Sequence, residues 1–202
     1  MSARTIFWDV DTQVDFLHPG GKLYVSGAEK ILPNLGRLTC WAKEHNILIV
    51  ASADAHREGD EEFAQYPPHC LVGTPGQKKV PETLLDTPAV IPNRPAPLPA
   101  DPAMTGQVIL EKQKFDVFTN PNTEALLERL GRNVEITLYG VVTEICVAAA
   151  ARGLLGHGYR LRLVRDAVQH LDESKARALL EEVERRGGRL VTTDEVVRGG
   201  SR

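Results

Sequence analysis

The fold is decided by the stretch Val134-Glu-Ile-Thr-Leu-Tyr-Gly140-Val-Val-Thr-Glu-Ile-Cys146-Val-Ala-Ala-Ala-Ala-Arg152. Its apolar run predicts a buried strand up to Tyr139, and the segment that begins at Thr143 predicts a helix. Gly140 marks the break between the two. We therefore expect Cys146 in the first turn of a helix that starts beside the carboxyl end of a strand, where open α/β sheets form their ligand crevice.

Two interpretations of Cys146 follow from this placement. Unpaired amide N–H groups and the helix dipole favour a thiolate at a helix N-terminus, which makes Cys146 a candidate nucleophile. The alternative is a small buried residue on the inner face of the helix, since unpaired cysteine is among the most buried residue types. The rest of the chain has to decide between them.

Strands and helices alternate along almost the whole chain. This alternation predicts a single doubly wound, Rossmann-like α/β domain over residues 1–202, with a six-stranded, mostly parallel sheet and helices on both faces. The predicted strands are Thr5–Asp11, Ile47–Ala53, Gln107–Glu111, Val134–Tyr139, Arg160–Val164 and Arg189–Thr192. The predicted helices are Ala28–Glu44, Asn122–Leu130, Thr143–Gly156 and Asp172–Arg186.

One segment interrupts the alternation. Residues at about 54–103 are rich in proline, glycine and charge, with only short apolar pieces such as Ala89–Ile91. An irregular insertion of this length is usually either functional or disordered. Because it follows a strand end, we expect it to hang over the crevice.

The composition excludes several classes of function. The net charge of −3 and the absence of a basic cluster give no electrostatic case for nucleic acid. No uncharged run is long enough to span a membrane, and the N-terminus leads straight into a strand rather than a signal peptide. Three widely spaced cysteines do not form a disulfide framework, so we expect a cytoplasmic protein with free thiols.

Two charged residues follow other strand ends. Asp11 could act as general base towards a thiol, or it could simply form a turn. Lys112 could lower the pKa of a nearby thiol, or it could be a solvated loop lysine, and Lys114 competes with it for that role. Asp9 is a possible second partner of Lys112.

The second strand end and the insertion together offer metal ligands. Alternate residues of an extended segment point the same way, so Asp54 and His56 can share a face. His69 in the insertion can close over them. A carboxylate with two imidazoles suits one divalent ion, Zn²⁺ first, with Mn²⁺ or Fe²⁺ as alternatives. Glu61 or Glu62 could add a further oxygen.

Taken together, these segments resemble the isochorismatase-like cysteine hydrolase superfamily, and most closely its nicotinamidase (pyrazinamidase) branch. The resemblance covers the chain from first strand to last and implies a six-stranded parallel sheet. It is carried by Asp11-Thr-Gln-Val-Asp-Phe16, by Asp54-Ala-His56, by Pro67-Pro-His69-Cys70 with Gly73-Thr-Pro-Gly76, by Lys112 with Phe118 downstream, and by Gly140-Val-Val-Thr-Glu-Ile-Cys146-Val147.

The resemblance implies a role for each matching residue. The catalytic triad would be Asp11, Lys112 and Cys146, and the metal ligands would be Asp54, His56 and His69. A cis peptide between Val141 and Val142 would aim the Val142 N–H, beside that of Cys146, at a developing oxyanion. Phe16 and Tyr66 would clamp the substrate ring, although Tyr66 stands where the branch usually has Trp. Val142 replaces a commoner small residue and would narrow the pocket.

The implied activity is hydrolysis of nicotinamide to nicotinate and ammonia through a Cys146 thioester, a reaction of NAD salvage. One alternative is the same chemistry on an N-carbamoyl compound, a maleamate-like acid amide or a ureide. Others are an isochorismatase proper, which uses no cysteine, and a non-catalytic small-molecule binder on an inherited fold. The resemblance also implies a homo-oligomer whose only other partner is a small-molecule amide.

Overall fold

The sheet is built from seven parallel strands. A computed structural model describes residues 4–199, so positions 1–3 and 200–202 of the expected domain lie outside the described residues. The strands are β1 (Arg4–Val10), β2 (Ile49–Asp54), β3 (Ala89–Ile91), β4 (Gln107–Lys112), β5 (Val134–Val141), β6 (Arg160–Gln169) and β7 (Arg189–Val191). Their spatial order is β3-β4-β2-β1-β5-β6-β7.

Helices cover both faces of this sheet. They are α1 (Val14–Leu17), α2 (Leu32–Glu44), α3 (Thr123–Leu130), α4 (Ala148–Gly156), α5 (Glu173–Arg185) and α6 (Thr193–Gly199). Successive β1 side chains enter opposite cores: Ile6 and Trp8 pack with α3, α4 and α5, whereas Phe7 packs with α2 and α6. Within the described part of the chain, no helix is both long and apolar enough to cross a membrane.

The doubly wound α/β fold predicted from the sequence is confirmed, with one more strand than expected. The additional strand, β3, is the short apolar piece Ala89–Ile91 of the insertion, which pairs with the outer edge of β4. Three residues are too few to show a strand period, which is why no strand was predicted there. β6 also runs beyond the predicted end at Val164, because Ala167 and Val168 resume the buried pattern.

A close approach of two strands places the crevice. β1 lies between β2 and β5, so the direction of winding reverses at the β1–β5 pair, and such a switch point opens a ligand crevice at the carboxyl ends of the strands. Gly140 faces Val10 across this pair with φ 120°, and a Cβ at Gly140 would lie 2.1 Å from the Val10 carbonyl oxygen. Only glycine allows the strands to meet here.

The insertion between β2 and β4 is held against α1. Asp15 of α1 accepts a hydrogen bond from the Cys70 N–H at 2.7 Å through Oδ2. A Cβ at Gly76 would lie 2.2 Å from the same oxygen, so the insertion passes directly over this carboxylate. His56 pairs with Leu71 in an isolated bridge. These contacts fold the insertion back over the strand ends, as its position in the sequence predicted.

Candidate active site

Four strand ends bring the chemically active side chains to one place. Asp11 follows β1 and Cys146 follows β5, the two strands of the switch point. Asp54 ends β2 and Lys112 ends β4, and the two residues are paired in register. All four are buried. Polar residues at buried strand ends are therefore concentrated on one edge of the sheet.

The three residues expected to form a triad are in contact through Lys112. Its Nζ lies 2.8 Å from Asp11 Oδ2 and 3.7 Å from Cys146 Sγ. The other Asp11 oxygen accepts a hydrogen bond of 2.7 Å from the Ser52 hydroxyl. Asp11 has a positive φ of 49°, which turns the chain at the end of β1. The geometry thus joins a carboxylate, an ammonium and a thiol in a buried group.

Lys112 also reaches a second carboxylate, which sequence reasoning missed. Its Nζ lies 2.5 Å from Asp54 Oδ1, so one ammonium is shared between Asp11 and Asp54. Gln13 fixes the main chain of Asp54: its side-chain amide donates to the Asp54 carbonyl at 2.8 Å and accepts from the Asp54 N–H at 2.7 Å. The signal for Gln13 was its place in the Asp11-to-Phe16 motif.

Burial governs the protonation states of this group. Burial raises the pKa of the Cys146 thiol well above its usual range, and the Lys112 charge offsets only part of that rise. The sequence-based expectation of a lowered thiol pKa is therefore wrong, because desolvation outweighs the effect of the Lys112 charge on that pKa. Burial alone would lower the pKa of Lys112, but the charges of Asp11 and Asp54 raise it well above the ordinary value. The resting site contains a thiol and an ammonium.

Asp9 is not a partner of Lys112. Its Oδ2 lies 2.8 Å from the Nζ of Lys79, a lysine of the insertion. Lys114 has a different partner, since its exposed side chain pairs with Glu61 at 2.5 Å. Of the two lysines that the sequence offered after β4, the structure therefore selects Lys112.

The predicted metal ligands form a compact group. One ligand atom from each of Asp54, His56 and His69 lies within 4.8 Å of the others. The Nδ1 of His56 lies 3.0 Å from an Asp60 carboxylate oxygen, and that of His69 lies 2.8 Å from the Pro67 carbonyl. Both partners only accept, so each Nδ1 acts as the donor and each Nε2 is the nitrogen left for a metal ion.

The orphaned atoms of this group fit a metal ion. Both histidine Nε2 atoms are buried and have no hydrogen-bond partner among the described residues, an arrangement that native proteins rarely leave unexplained. Burial lowers the pKa of His69, which keeps it neutral as a ligand must be. Burial raises the pKa of Asp54 to about 7, a cost that a bound cation would remove. The donor set of two nitrogens and one oxygen suits Zn²⁺.

Glu62, rather than Glu61, faces the metal group. Its Oε1 lies 3.5 Å from His69 Nε2 and 3.9 Å from His56 Nε2, and its side chain is 9% exposed. Glu61 is 86% exposed and points to Lys114. The choice that the sequence left open therefore falls on Glu62 as the further oxygen near the site.

A narrow cavity leads to the thiol and the metal group. Of the predicted substrate contacts, Phe16, Tyr66 and Val142 do line it. Sequence reasoning missed several other wall residues, such as Leu23, Phe115 and Leu171, which come from separate loops. The whole lining is Phe16, Leu23, Val25, Asp54, Glu62, Tyr66, His69, Phe115, Val141, Val142, Ile145, Cys146 and Leu171.

Phe115, rather than Phe118, forms the aromatic wall. The Phe115 ring stands edge-on to Tyr66 with centroids 6.0 Å apart. Phe118, which the resemblance matched downstream of Lys112, stacks on His157, and its ring occupies the space above Gly153, where a Cβ would lie 2.1 Å from it. Phe118 therefore belongs to the packing of α4.

The segment around the nucleophile differs slightly from the predicted helix. The peptide bond between Val141 and Val142 is cis. Thr143–Val147 forms a single π-helical turn, and α4 begins only at Ala148. The Val142 carbonyl accepts hydrogen bonds from the Ile145 and Val147 N–H groups, both at 3.1 Å. Cys146 thus lies in a wide turn at a strand end, a place where π-turns are often functional.

Comparison with known proteins agrees with this geometry. The family model named for the isochorismatase domain matches residues 6–195 of this chain. The chain belongs to the isochorismatase-like hydrolase family. Among its relatives in this family is the nicotinamidase/pyrazinamidase of Mycobacterium tuberculosis, 28% identical over 182 residues that cover 86% of this chain and 91% of the relative. Another is the maleamate amidohydrolase of Pseudomonas putida, 24% identical, with coverages of 93% and 83%.

A solved relative gives the same fold. The pyrazinamidase of Pyrococcus horikoshii in complex with zinc is 31% identical, with a TM-score of 0.74 and coverages of 94% and 99%. These isochorismatase-family relatives support amide hydrolysis as the activity at the level of the family. They do not share one amide, so the substrate has to be inferred from the site.

Proposed function

We propose that this protein is a metal-containing cysteine amidohydrolase that converts nicotinamide and water to nicotinate and ammonia. The observation that carries the proposal is the position of the Cys146 thiol, 3.7 Å from a lysine that is paired with Asp11. The thiol lines a cavity whose wall also includes the metal ligands Asp54 and His69 and three aromatic rings, Phe16, Tyr66 and Phe115. The nucleophile and two of the three metal ligands thus line one small space, and the Lys112 ammonium, which contacts both the thiol and the Asp11 base, lies behind its wall.

In the acylation step, Asp11 takes the proton of the Cys146 thiol. A general base is required because burial raises the pKa of this thiol. The sulfur attacks the amide carbon, and the Val142 and Cys146 N–H groups stabilise the oxyanion. Protonated Asp11 then gives its proton to the leaving nitrogen, so the C–N bond breaks and ammonia departs.

In the second step, water hydrolyses the thioester. Asp11 takes a proton from that water, the oxygen adds to the acyl carbon, and the C–S bond breaks. The sulfur regains a proton from Asp11, which restores thiol and carboxylate. Throughout, the Lys112 ammonium stabilises negative charge on Asp11 and on the reacting sulfur.

Asp54, His56 and His69 would hold the metal, for which Zn²⁺ is the first choice. When bound, the ion supplies a Lewis-acidic position that can take the ring nitrogen of a pyridine amide. Phe16 and Tyr66 contribute ring faces on the cavity wall. The role of these residues is to orient the ring so that its amide meets Cys146.

The charge of the cavity favours an uncharged amide. Among the described residues that line it, none is Arg or Lys, and two are acidic, Asp54 and Glu62. The nearest ammonium, Lys112, is already paired with two carboxylates. Maleamate, isochorismate and N-carbamoyl amino acids carry carboxylates that would find no cationic side chain on this wall, so only the bound ion could balance their charge, and that position is the one proposed for the ring nitrogen. Nicotinamide has no such charge.

The test is ammonia release by metal-loaded protein from nicotinamide, maleamate, an N-carbamoyl amino acid and an uncharged ureide. We expect kcat/KM of about 10⁴ M⁻¹s⁻¹ or more for nicotinamide and far lower values for the anionic amides. Cys40→Ala is the matched control for Cys146→Ala, since Cys40 is an exposed thiol. Hydrolysis of maleamate in preference to nicotinamide would overturn the substrate assignment. Loss of activity in neither variant would overturn the nucleophile.

A further inference from the structure

One wall of the cavity is carried by a short turn. Leu171 lines the cavity together with Cys146, yet its side chain is 51% exposed. It lies between the end of β6 at Gln169 and the start of α5 at Glu173, in a segment without regular structure. Packing alone therefore does not fix the position of the Leu171 side chain. That position depends on the hydrogen bonds that hold the main chain of the turn.

The main chain of this turn is held by two residues of the nucleophile segment. Glu144 Oε1 accepts the N–H of Leu171 at 3.0 Å and the N–H of Asp172 at 2.7 Å. The Thr143 hydroxyl donates to the Gln169 carbonyl at 2.9 Å. Both residues belong to the π-helical turn that contains Cys146. The wall and the nucleophile are thus joined by hydrogen bonds to a charged group, which are stronger than neutral ones.

Capping of α5 does not explain Glu144. The N-cap of α5 is Asp172, whose side chain accepts the N–H of Lys175 at 3.1 Å. The second oxygen of Glu144, Oε2, is buried and has no hydrogen-bond partner among the described residues. Both hydrogen bonds that the Glu144 carboxylate accepts therefore come from the turn that carries Leu171.

We propose that Glu144 is a positioning residue that sets the distance between the Leu171 wall and the Cys146 thiol, and thereby the width of the substrate pocket. This inference rests on the proposed amide hydrolysis. Glu144 lies two residues from Cys146 in the same turn. Its hydrogen bonds to the Leu171 segment therefore keep the distance between the Cys146 thiol and the Leu171 side chain constant. Glu144 touches no reacting atom and acts through Leu171.

Kinetics of three variants test this role. Glu144→Ala should raise KM about tenfold and leave kcat within about threefold, because pocket contacts are loosened while the chemistry is intact. Glu144→Gln keeps an acceptor oxygen and should stay close to wild type. Asp172→Ala is the matched control: it removes a neighbouring carboxylate and a helix cap, so it should lower Tm without raising KM.

A double-mutant cycle shows whether the effect passes through Leu171. Leu171→Ala should raise KM by itself, and adding Glu144→Ala should raise it no further, because residues that act as one unit are not additive. A Glu144→Ala effect of equal size with and without Leu171 would overturn the proposal. So would a fall in kcat with unchanged KM.

Alkylation of Cys146 gives a readout that needs no turnover. In a Cys40→Ser background, which removes the exposed thiol, N-phenylmaleimide labelling of Cys146 is followed by mass spectrometry. We expect Glu144→Ala to accelerate labelling severalfold, Asp172→Ala to leave it unchanged, and Leu171→Ala to abolish the difference. Unchanged labelling in Glu144→Ala would overturn the positioning role. If nicotinamide proves not to be a substrate, this result still decides on Glu144.

Discussion

Two buried lysine–carboxylate pairs start from the same strand, and only one of them touches a thiol. Asp9 pairs with Lys79, and Asp11 pairs with Lys112, each at 2.8 Å. All four side chains are at most 2% exposed. Distance and burial are thus the same in both pairs, so neither property identifies a catalytic group.

The difference lies in the remaining partners. Lys79 donates to Thr12 Oγ1 at 2.7 Å, and Thr12 also contacts Asp9 and Thr83, so this network closes on itself. None of its members lines the cavity at Cys146. Lys112 instead shares its charge among two carboxylates and a thiol. A buried ion pair of this kind can take part in catalysis when its lysine also contacts a reactive group that lines a cavity.

The largest expected effect is a difference in kcat between variants of the two lysines. Lys112→Met removes the charge that stabilises Asp11 and the reacting sulfur, and we expect kcat to fall about 10³-fold or more. Lys79→Met should leave the kcat of the folded protein within about threefold. Steady-state kinetics on folded, metal-loaded samples measures both kcat values. Comparable losses in the two variants would remove the distinction between the pairs.

The next effect concerns stability. Lys79→Met leaves Asp9 buried without its counter-charge, which should lower the free energy of unfolding by about 3–5 kcal/mol. The double variant Asp9→Leu with Lys79→Met should recover most of that loss, because an apolar pair needs no desolvation of charge. Asp11→Leu with Lys112→Met should recover less stability, because Asp54 also loses its counter-charge, and it should restore no activity. Urea unfolding measures these differences, and a double variant as unstable as Lys79→Met would contradict the structural role.

A third effect connects Asp54 to pH. Its pKa is raised by burial to about 7 in the metal-free protein, against about 3.9 when unfolded. The folded state binds more protons between these values, so its stability falls as pH rises through that window. Zn²⁺ needs the ionised carboxylate. We expect the Tm rise on adding Zn²⁺ to be larger at about pH 8 than at about pH 5.5.

The control for this measurement is His56→Ala, which removes a ligand but not Asp54. It should abolish the Tm response to Zn²⁺ at both pH values and reduce the metal content of the purified protein. A Zn²⁺ response that is retained in His56→Ala, or that is larger at the lower pH, would place the metal elsewhere.

The smallest effect separates two adjacent glutamates. Glu62→Gln should weaken Zn²⁺ affinity by about tenfold, because Glu62 lies close to both histidine Nε2 atoms, and groups around a metal affect affinity by about that factor. Glu61→Gln should have no measurable effect, since its side chain pairs with Lys114 at the surface. Competition with a chelator measures both. Equal affinities in the two variants would remove Glu62 from the metal group.

The residues that the sequence located are those at the ends of regular strands. Asp11, Asp54, Lys112 and Cys146 each follow an apolar run, and the carboxyl ends of parallel strands meet at one edge. Position along a strand therefore predicted proximity in space. The two histidines of the metal group could be predicted because His56 follows β2 directly and His69 is part of a matching motif.

The residues that the sequence did not locate lie on loops without a period. Phe115 and Leu171 reach the cavity along paths that no pattern of spacing describes. The sequence offered Glu62 only together with Glu61, because spacing alone does not show which of two adjacent side chains faces the histidines. The Asp9–Lys79 pair joins β1 to the insertion, a contact across 70 residues. Such contacts are fixed by tertiary packing, which local propensity does not encode.

The most direct measurement is acid quenching of metal-loaded protein during turnover of nicotinamide, followed by mass spectrometry of its peptides and assay of nicotinate in the same samples. We expect one nicotinoyl group on the peptide that contains Cys146. In Cys146→Ala, we expect neither the adduct nor nicotinate. Nicotinate formed by Cys146→Ala at the wild-type rate would contradict the assignment of Cys146 as the nucleophile.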